Sequence, residues 1–107
     1  MRIGILGGDK NKDYDLLNQE LWKMIEEKQC FLFDVIVSVY SESLGKVWAD
    51  NNGAPLVYLH ERDPNKAIKK LFNMADFIIF MNDNSQQMKN LIMQYKMMGK
   101  HGCVLNI

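Results

Sequence analysis

The sequence predicts an α/β domain built on a doubly wound, five-stranded parallel sheet in the order 3-2-1-4-5, with four main helices. Two observations carry the prediction. Short apolar runs rich in β-branched residues alternate with longer stretches of helical period. The resulting order, β-α-β-α-β-α-β-α-β, leaves few topologies once crossovers are right-handed, and the doubly wound sheet is the commonest of them. A length of 107 residues, 48% of them hydrophobic, holds one domain over 1–107 and enough apolar material for a core without disulfide or metal staples.

The expected strands are Ile3 to Leu6, Val35 to Val39, Leu56 to Leu59, Phe77 to Met81 and Val104 to Ile107. The first helix follows Asp13, a good N-cap, and aligns Leu17, Leu21, Met24, Ile25 and Lys28 on one stripe. A second starts near Ser41 or Ser43, buries Leu44, Val47 and Trp48, and stops at Gly53 with Pro55 just beyond. The third opens on Asp63-Pro64, an N-cap followed by proline at the first helical position, and turns Ala67, Ile68, Leu71 and Phe72 inward. The fourth begins at Asn84 or Ser85 and carries Met88, Leu91, Ile92, Tyr95 and Met98 at helical spacing before Gly99.

Charge narrows the function. Thirteen Lys plus Arg balance 13 Asp plus Glu, and without a positive field neither bulk nucleic acid nor an acidic membrane is the expected partner. Cys30 and Cys103, with only His60 and His101, do not make a zinc set. The longest apolar run, Phe77 to Met81, is far too short to span a membrane, and Met1 leads straight into a strand pattern rather than a signal peptide. The expectation is a soluble, cytoplasmic domain with reduced cysteines. Frequent Lys, Asn, Ile and Met with rare Arg matches an AT-rich bacterial or viral (phage) genome.

In a sheet of this order ligands bind outside the carboxyl ends of the strands, between strands one and four. Three loops border that crevice: Gly7 to Lys12, Tyr40 to Ser43 and Asn82 to Ser85. Gly7 and Gly8 permit close backbone approach, either to a ligand or simply in a tight turn. Ser85 offers a hydroxyl at a helix N-terminus and Lys89, one turn later, an ammonium. Asp9, Asp13, Glu42 and Asp83 are loop carboxylates. They read either as caps and solvated residues or as oxygen ligands for Mg²⁺, although no cofactor is required and no spacing supports the ion. Neither histidine is placed to activate Ser38, Ser41 or Ser85, so no catalytic residue is assigned.

The same loops carry a resemblance. Gly7-Gly8-Asp9-Lys10-Asn11-Lys12-Asp13-Tyr14 resembles a strand running into G-S-R-x-F-x-D-Y. Ser41-Glu42-Ser43-Leu44-Gly45-Lys46-Val47-Trp48-Ala49, then Asn52-Gly53-Ala54-Pro55, resembles A-D-S-L-G-E-x-Y-A followed by N-G-x-P. Ala75-Asp76-Phe77-Ile78-Ile79-Phe80, with Asp83, Ser85, Lys89, Asn90 and Ile92, resembles A-D-x-x-I-x-F-W-D-G-x-S-x-G-T-K-x-x-I. In order along the chain, these are similar to the YspA-like branch of the SLOG superfamily. The resemblance implies a single Rossmann-like, three-layer domain that binds nucleotides or nucleotide-derived ligands; some members are sensors and others cleave N-glycosidic bonds.

Departures fall where phosphate would be gripped. Asp9 stands at the family's Arg, the G-G-x-R-G loop is shortened to Val39-Tyr40, the R-N pair of helix three becomes Ala67-Ile68, and the S-x-G-T turn becomes Ser85-Gln86-Gln87-Met88. Each lost Arg fork removes charge-assisted bonds worth about 1.5–3 kcal/mol. Arg62 is the candidate substitute. The fourth helix, Gln86 to Met98, holds no Glu or Asp to act on a sugar.

The expectation is therefore non-catalytic binding of a nucleotide-like small molecule in a remodelled crevice, through Gly7, Gly8, Asp13, Tyr40, Ser41, Glu42, Asp83, Ser85 and Lys89. Tyr40 either stacks on a base or packs in the core. Two alternatives stand beside it: a protein-interaction or homo-oligomerisation module that uses Met88, Met97 and Met98 of helix four, and a hydrolase using Asp13, Glu42 and Asp83 with Mg²⁺.

Overall fold

A computed structural model describes residues 2–9, 11–28, 34–38 and 42–107. Five strands, β1 (Arg2–Leu6), β2 (Asp34–Ser38), β3 (Leu56–Leu59), β4 (Phe77–Asn82) and β5 (His101–Asn106), alternate with four helices, α1 (Tyr14–Lys28), α2 (Glu42–Asn52), α3 (Pro64–Met74) and α4 (Gln86–Met97). The sheet runs β3-β2-β1-β4-β5 and every pairing is parallel. β1 and β4 lie at its centre, registered Ile3 to Phe77 through Leu6 to Phe80.

Helix starts follow local chemistry. The Asp63 carboxylate accepts from Asn65 N at 3.0 Å, and Pro64 needs no partner at the first helical position. Ser85 Oγ accepts from Met88 N at 3.1 Å to cap α4. The C-terminus of α3 has no basic residue in its last turn. Lys100 supplies the cation instead, donating to the Phe72 and Asn73 carbonyls at 2.6 and 3.2 Å.

Strand limits differ from the apolar runs. β1, β2 and β4 each include one polar end residue, Arg2, Asp34 and Asn82, that a hydrophobicity reading omits. β5 starts at His101, three residues before the expected Val104, so His101 and Gly102 belong to the sheet and not to a turn. A close approach explains the glycine: Gly102 pairs with Ile78, and a Cβ there would lie 2.6 Å from Ile78 O and 3.2 Å from the Tyr95 ring. Met98, the last residue of the expected α4 stripe, is the C-cap of that helix and is exposed.

Two cores flank the sheet. On one face α1 and α2 bury Leu17, Leu21, Met24, Leu44 and Trp48 against Ile3, Ile5, Ile79 and Met81. On the other, α3 and α4 bury Leu71, Phe72, Leu91 and Tyr95 against Leu6, Ile78 and Phe80. Connections that step toward β3 thus carry their helices on one face and those that step toward β5 on the other, as a single crossover hand requires.

Candidate functional site at the ends of β1 and β4

At the carboxyl ends of β1 and β4 the chain departs toward opposite faces, and a pocket of about 330 Å³ opens beside it on the α3/α4 side. Leu6 and Gly7 form its floor, Ile68 of α3 and Met88 of α4 its walls, and Asp83 and Ser85 its polar rim. Gly7 has φ 83° and Gly8 φ 89°, a left-handed pair that other residues adopt only under strain. Their missing side chains point to opposite cores. A Cβ on Gly7 would meet Met88 Cε at 2.9 Å, and one on Gly8 would meet Leu44 Cδ2 at 2.5 Å. Packing alone therefore accounts for both glycines; only Gly7 borders the pocket.

The loop after β1 is occupied with itself. The Asp9 carboxylate accepts from Asn11 N at 2.7 Å, and the Asp13 carboxylate from Asp9 N at 2.7 Å. Asp13 also starts α1, its carbonyl accepting from Leu17 N at 3.1 Å. These acids hold a turn, and neither borders the pocket. Tyr14, the other residue of the opening motif, accepts from Asn51 and Asn52 Nδ2 at 3.2 and 3.4 Å and so joins α1 to α2.

The loop after β4 is held in the same manner but keeps its acid at the pocket. The Asp83 carboxylate accepts from Ser85 N at 2.9 Å. The Ser85 hydroxyl and that amide hold its pKa below the ordinary 3.8, so it is ionised at neutral pH. Asn84 takes a positive φ of 65° while its amide donates to Asn82 Oδ1 at 3.0 Å. Asn82, buried at the strand end, donates in turn to Asn106 Oδ1 at 2.9 Å. This asparagine pair, which sets the loop, was missed in the sequence; two asparagines at the ends of apolar runs were its only signal.

Of the expected site residues the structure brings Gly7, Asp83 and Ser85 together. Lys89 is exposed and lines a different, shallow groove on the outer side of α4, so it does not supply charge to the pocket. Tyr40 and Ser41 lie outside the described residues, as does the side chain of Glu42, which begins α2. Ile68, expected in the core, and Gln87 also border the pocket; both stand where the resemblance has phosphate-gripping residues replaced. Arg62 is exposed two residues before Pro64, another pocket residue, and is not itself part of the lining.

The resulting chemistry is an apolar slot with one carboxylate, one hydroxyl and one amide side chain at its mouth, and no cation among the described lining residues. Among the described residues no three His, Cys, Asp or Glu are grouped to hold a metal ion. No helix of the described residues is long and apolar enough to cross a membrane. Comparison with known proteins finds no matching family model, no matching curated protein and no matching solved structure.

Proposed function

We propose that the chain binds, without catalysis, the nucleoside part of a nucleotide-derived ligand in the pocket at the ends of β1 and β4, within a Rossmann-like domain related to the SLOG superfamily. The observation that carries the reading is the pairing of apolar walls with a single carboxylate and no cation among the described lining residues. Apolar walls suit the flat faces of a base, and a carboxylate at the end of a central strand suits ribose hydroxyls, which donate to it. A phosphate would meet the like charge of Asp83, with no Arg fork among the described lining residues to offset it. The volume of about 330 Å³ is at the small end for ligand pockets, in keeping with one nucleoside and too small for a dinucleotide.

Calorimetric titration of four ribonucleosides and their 5′-monophosphates tests this. At least one nucleoside should bind, and its monophosphate no more tightly. Asp83→Asn should weaken the ribonucleoside about 10-fold or more, by loss of a charge-assisted hydrogen bond, and leave a 2′,3′-dideoxynucleoside unchanged. Ile68→Trp should fill the slot and abolish binding with little change in melting temperature. Tighter binding of every monophosphate, or binding that survives Ile68→Trp, would place the ligand elsewhere.

A further inference from the structure

Two helices on opposite faces of the sheet leave apolar side chains uncovered, and their charges are opposite. On α4, Met93 and Met97 are 62% and 82% exposed and, with Ile92, line a shallow groove edged by Lys89 and Lys96. That helix contains no acidic residue. On α1, Trp22 is 45% exposed. It sits on an exposed stripe with Asp15, Gln19 and Glu26, spaced four, three and four residues apart, and the helix carries four acids, Asp15, Glu20, Glu26 and Glu27, against Lys23 and Lys28.

We infer that the α4 groove of one molecule receives the Trp22 stripe of α1 from a second copy of the chain. An indole ring in a methionine-lined groove gains sulfur–aromatic contacts, and ammonium groups at the groove edge meet both the indole face and the carboxylates that flank it. Charge decides the pairing. Two α4 faces brought together would oppose lysine to lysine, and two α1 faces would oppose a net excess of acids to the same, whereas α4 against α1 brings the lysines of one to the acids of the other.

Because α1 and α4 pack on opposite sides of the sheet, each molecule offers both halves of the contact in different directions. The association is then head-to-tail and does not close into a two-fold dimer. A single helix-on-helix contact buries less than the roughly 800 Å² per partner of a standard interface, so assembly is weak and depends on concentration. This inference is independent of the ligand pocket, which lies at the strand ends.

Sedimentation velocity on the full chain, from dilute to concentrated solution, tests it with two variants at exposed positions, Trp22→Lys and Met93→Glu/Met97→Glu. Circular dichroism and melting temperature serve as the check that both are folded. The native chain should show a mass average that climbs with concentration and falls with added salt. Each variant alone should remain monomeric. Mixed, they should form a one-to-one pair and stop there, since each retains the half that the other has lost. A native chain that stays monomeric throughout, a Trp22→Lys chain that still associates, or a mixture that does not pair would each overturn the inference; the second would show α4 meeting its own kind.

Discussion

Each face of the sheet is centred on one fully buried amphipathic aromatic, and the two find their polar partners in different ways. On the α1/α2 face Trp48 Nε1 donates to Asn18 Oδ1 at 3.0 Å, across to the neighbouring helix. Asn52, which donates to the Trp48 carbonyl at 2.8 Å, and Tyr14 extend that bond into a side-chain network between α1 and α2. On the α3/α4 face Tyr95 packs its ring 5.1 Å from Phe72 and 5.5 Å from Phe80, centroid to centroid, while its hydroxyl donates to the His101 carbonyl at 2.8 Å. One face is stitched helix to helix by side chains; the other is tied from helix to edge strand. The second arrangement leaves the N-terminal turns of α3 and α4 without a cross-helix network of that kind, and the pocket opens there.

The largest way to break this comparison is at its heavier centre. Trp48→Ala should cost about 3–5 kcal/mol by denaturant unfolding, combining lost burial, a cavity and an orphaned Asn18 amide. Calorimetry at low temperature should still find the opposite pocket competent, because its walls belong to the other core. Loss of ligand with the fold retained would show the two faces to be coupled.

Gly7 and Gly8 sharpen the contrast at single-residue scale. An alanine at either meets the left-handed penalty of about 1–2 kcal/mol. At Gly8 the new Cβ also strikes the fully buried Leu44 side chain, adding about 1–3 kcal/mol of overpacking, for about 2–5 in total. At Gly7 the nearest atom, at 2.9 Å, is the free end of Met88, beside a cavity, which can give way; the next, the Met81 carbonyl oxygen at 3.0 Å, is a tight contact but no deeper clash. Gly8→Ala should therefore be the more destabilising in urea titrations, and equal costs would argue against a closed α1/α2 face.

The smallest effect concerns the phenol. Tyr95→Phe removes one hydrogen bond, worth about 0.5–1.5 kcal/mol, and keeps the ring packing. Burial, and secondly the charge of Asp76, raise the Tyr95 pKa above its ordinary 10.0. The folded chain thus holds this proton to higher pH than the unfolded one. The corresponding stability is complete below the ordinary value and is lost as pH rises through the raised one. Thermal melts of the native chain should decline in that alkaline window, with a shallower decline in Tyr95→Phe.

Much of the architecture was legible because burial leaves a periodic trace. The alternation of apolar runs with helical stripes specified the parallel α/β sheet, and Asp63-Pro64 and Ser85 announced their helices by cap chemistry alone. The beginning of β5 was not legible, since His101 and Gly102 carry no apolar signal yet pair with Phe77 and Ile78 through their backbone. The site was legible in position more than in composition. Strand order pointed to the ends of β1 and β4, but all three loop acids close on nearby backbone amides, and that Asp83 also borders the pocket while Asp9 and Asp13 do not is something spacing does not encode. Lys89, one turn along α4 from Ser85, lines the outer groove of that helix and not the pocket, a rotational difference that a one-turn spacing does not resolve.

The latching of β5 bears on how the protein is best handled. Tyr95 holds the strand at His101, and at its far end Asn82 holds Asn106 by side chain and the Ile107 amide by its carbonyl, at 2.9 Å each. Because all strands run the same way, Ile107 emerges at the end of the sheet where Asp83 borders the pocket, while Arg2, bonded to Asp76 at 2.8 Å, lies at the opposite end. A purification tag or fluorophore joined after Ile107 would begin its path at the end of the sheet that carries the pocket. The same label ahead of Arg2 would be a full strand length away, which makes the amino end the place to attach a reporter.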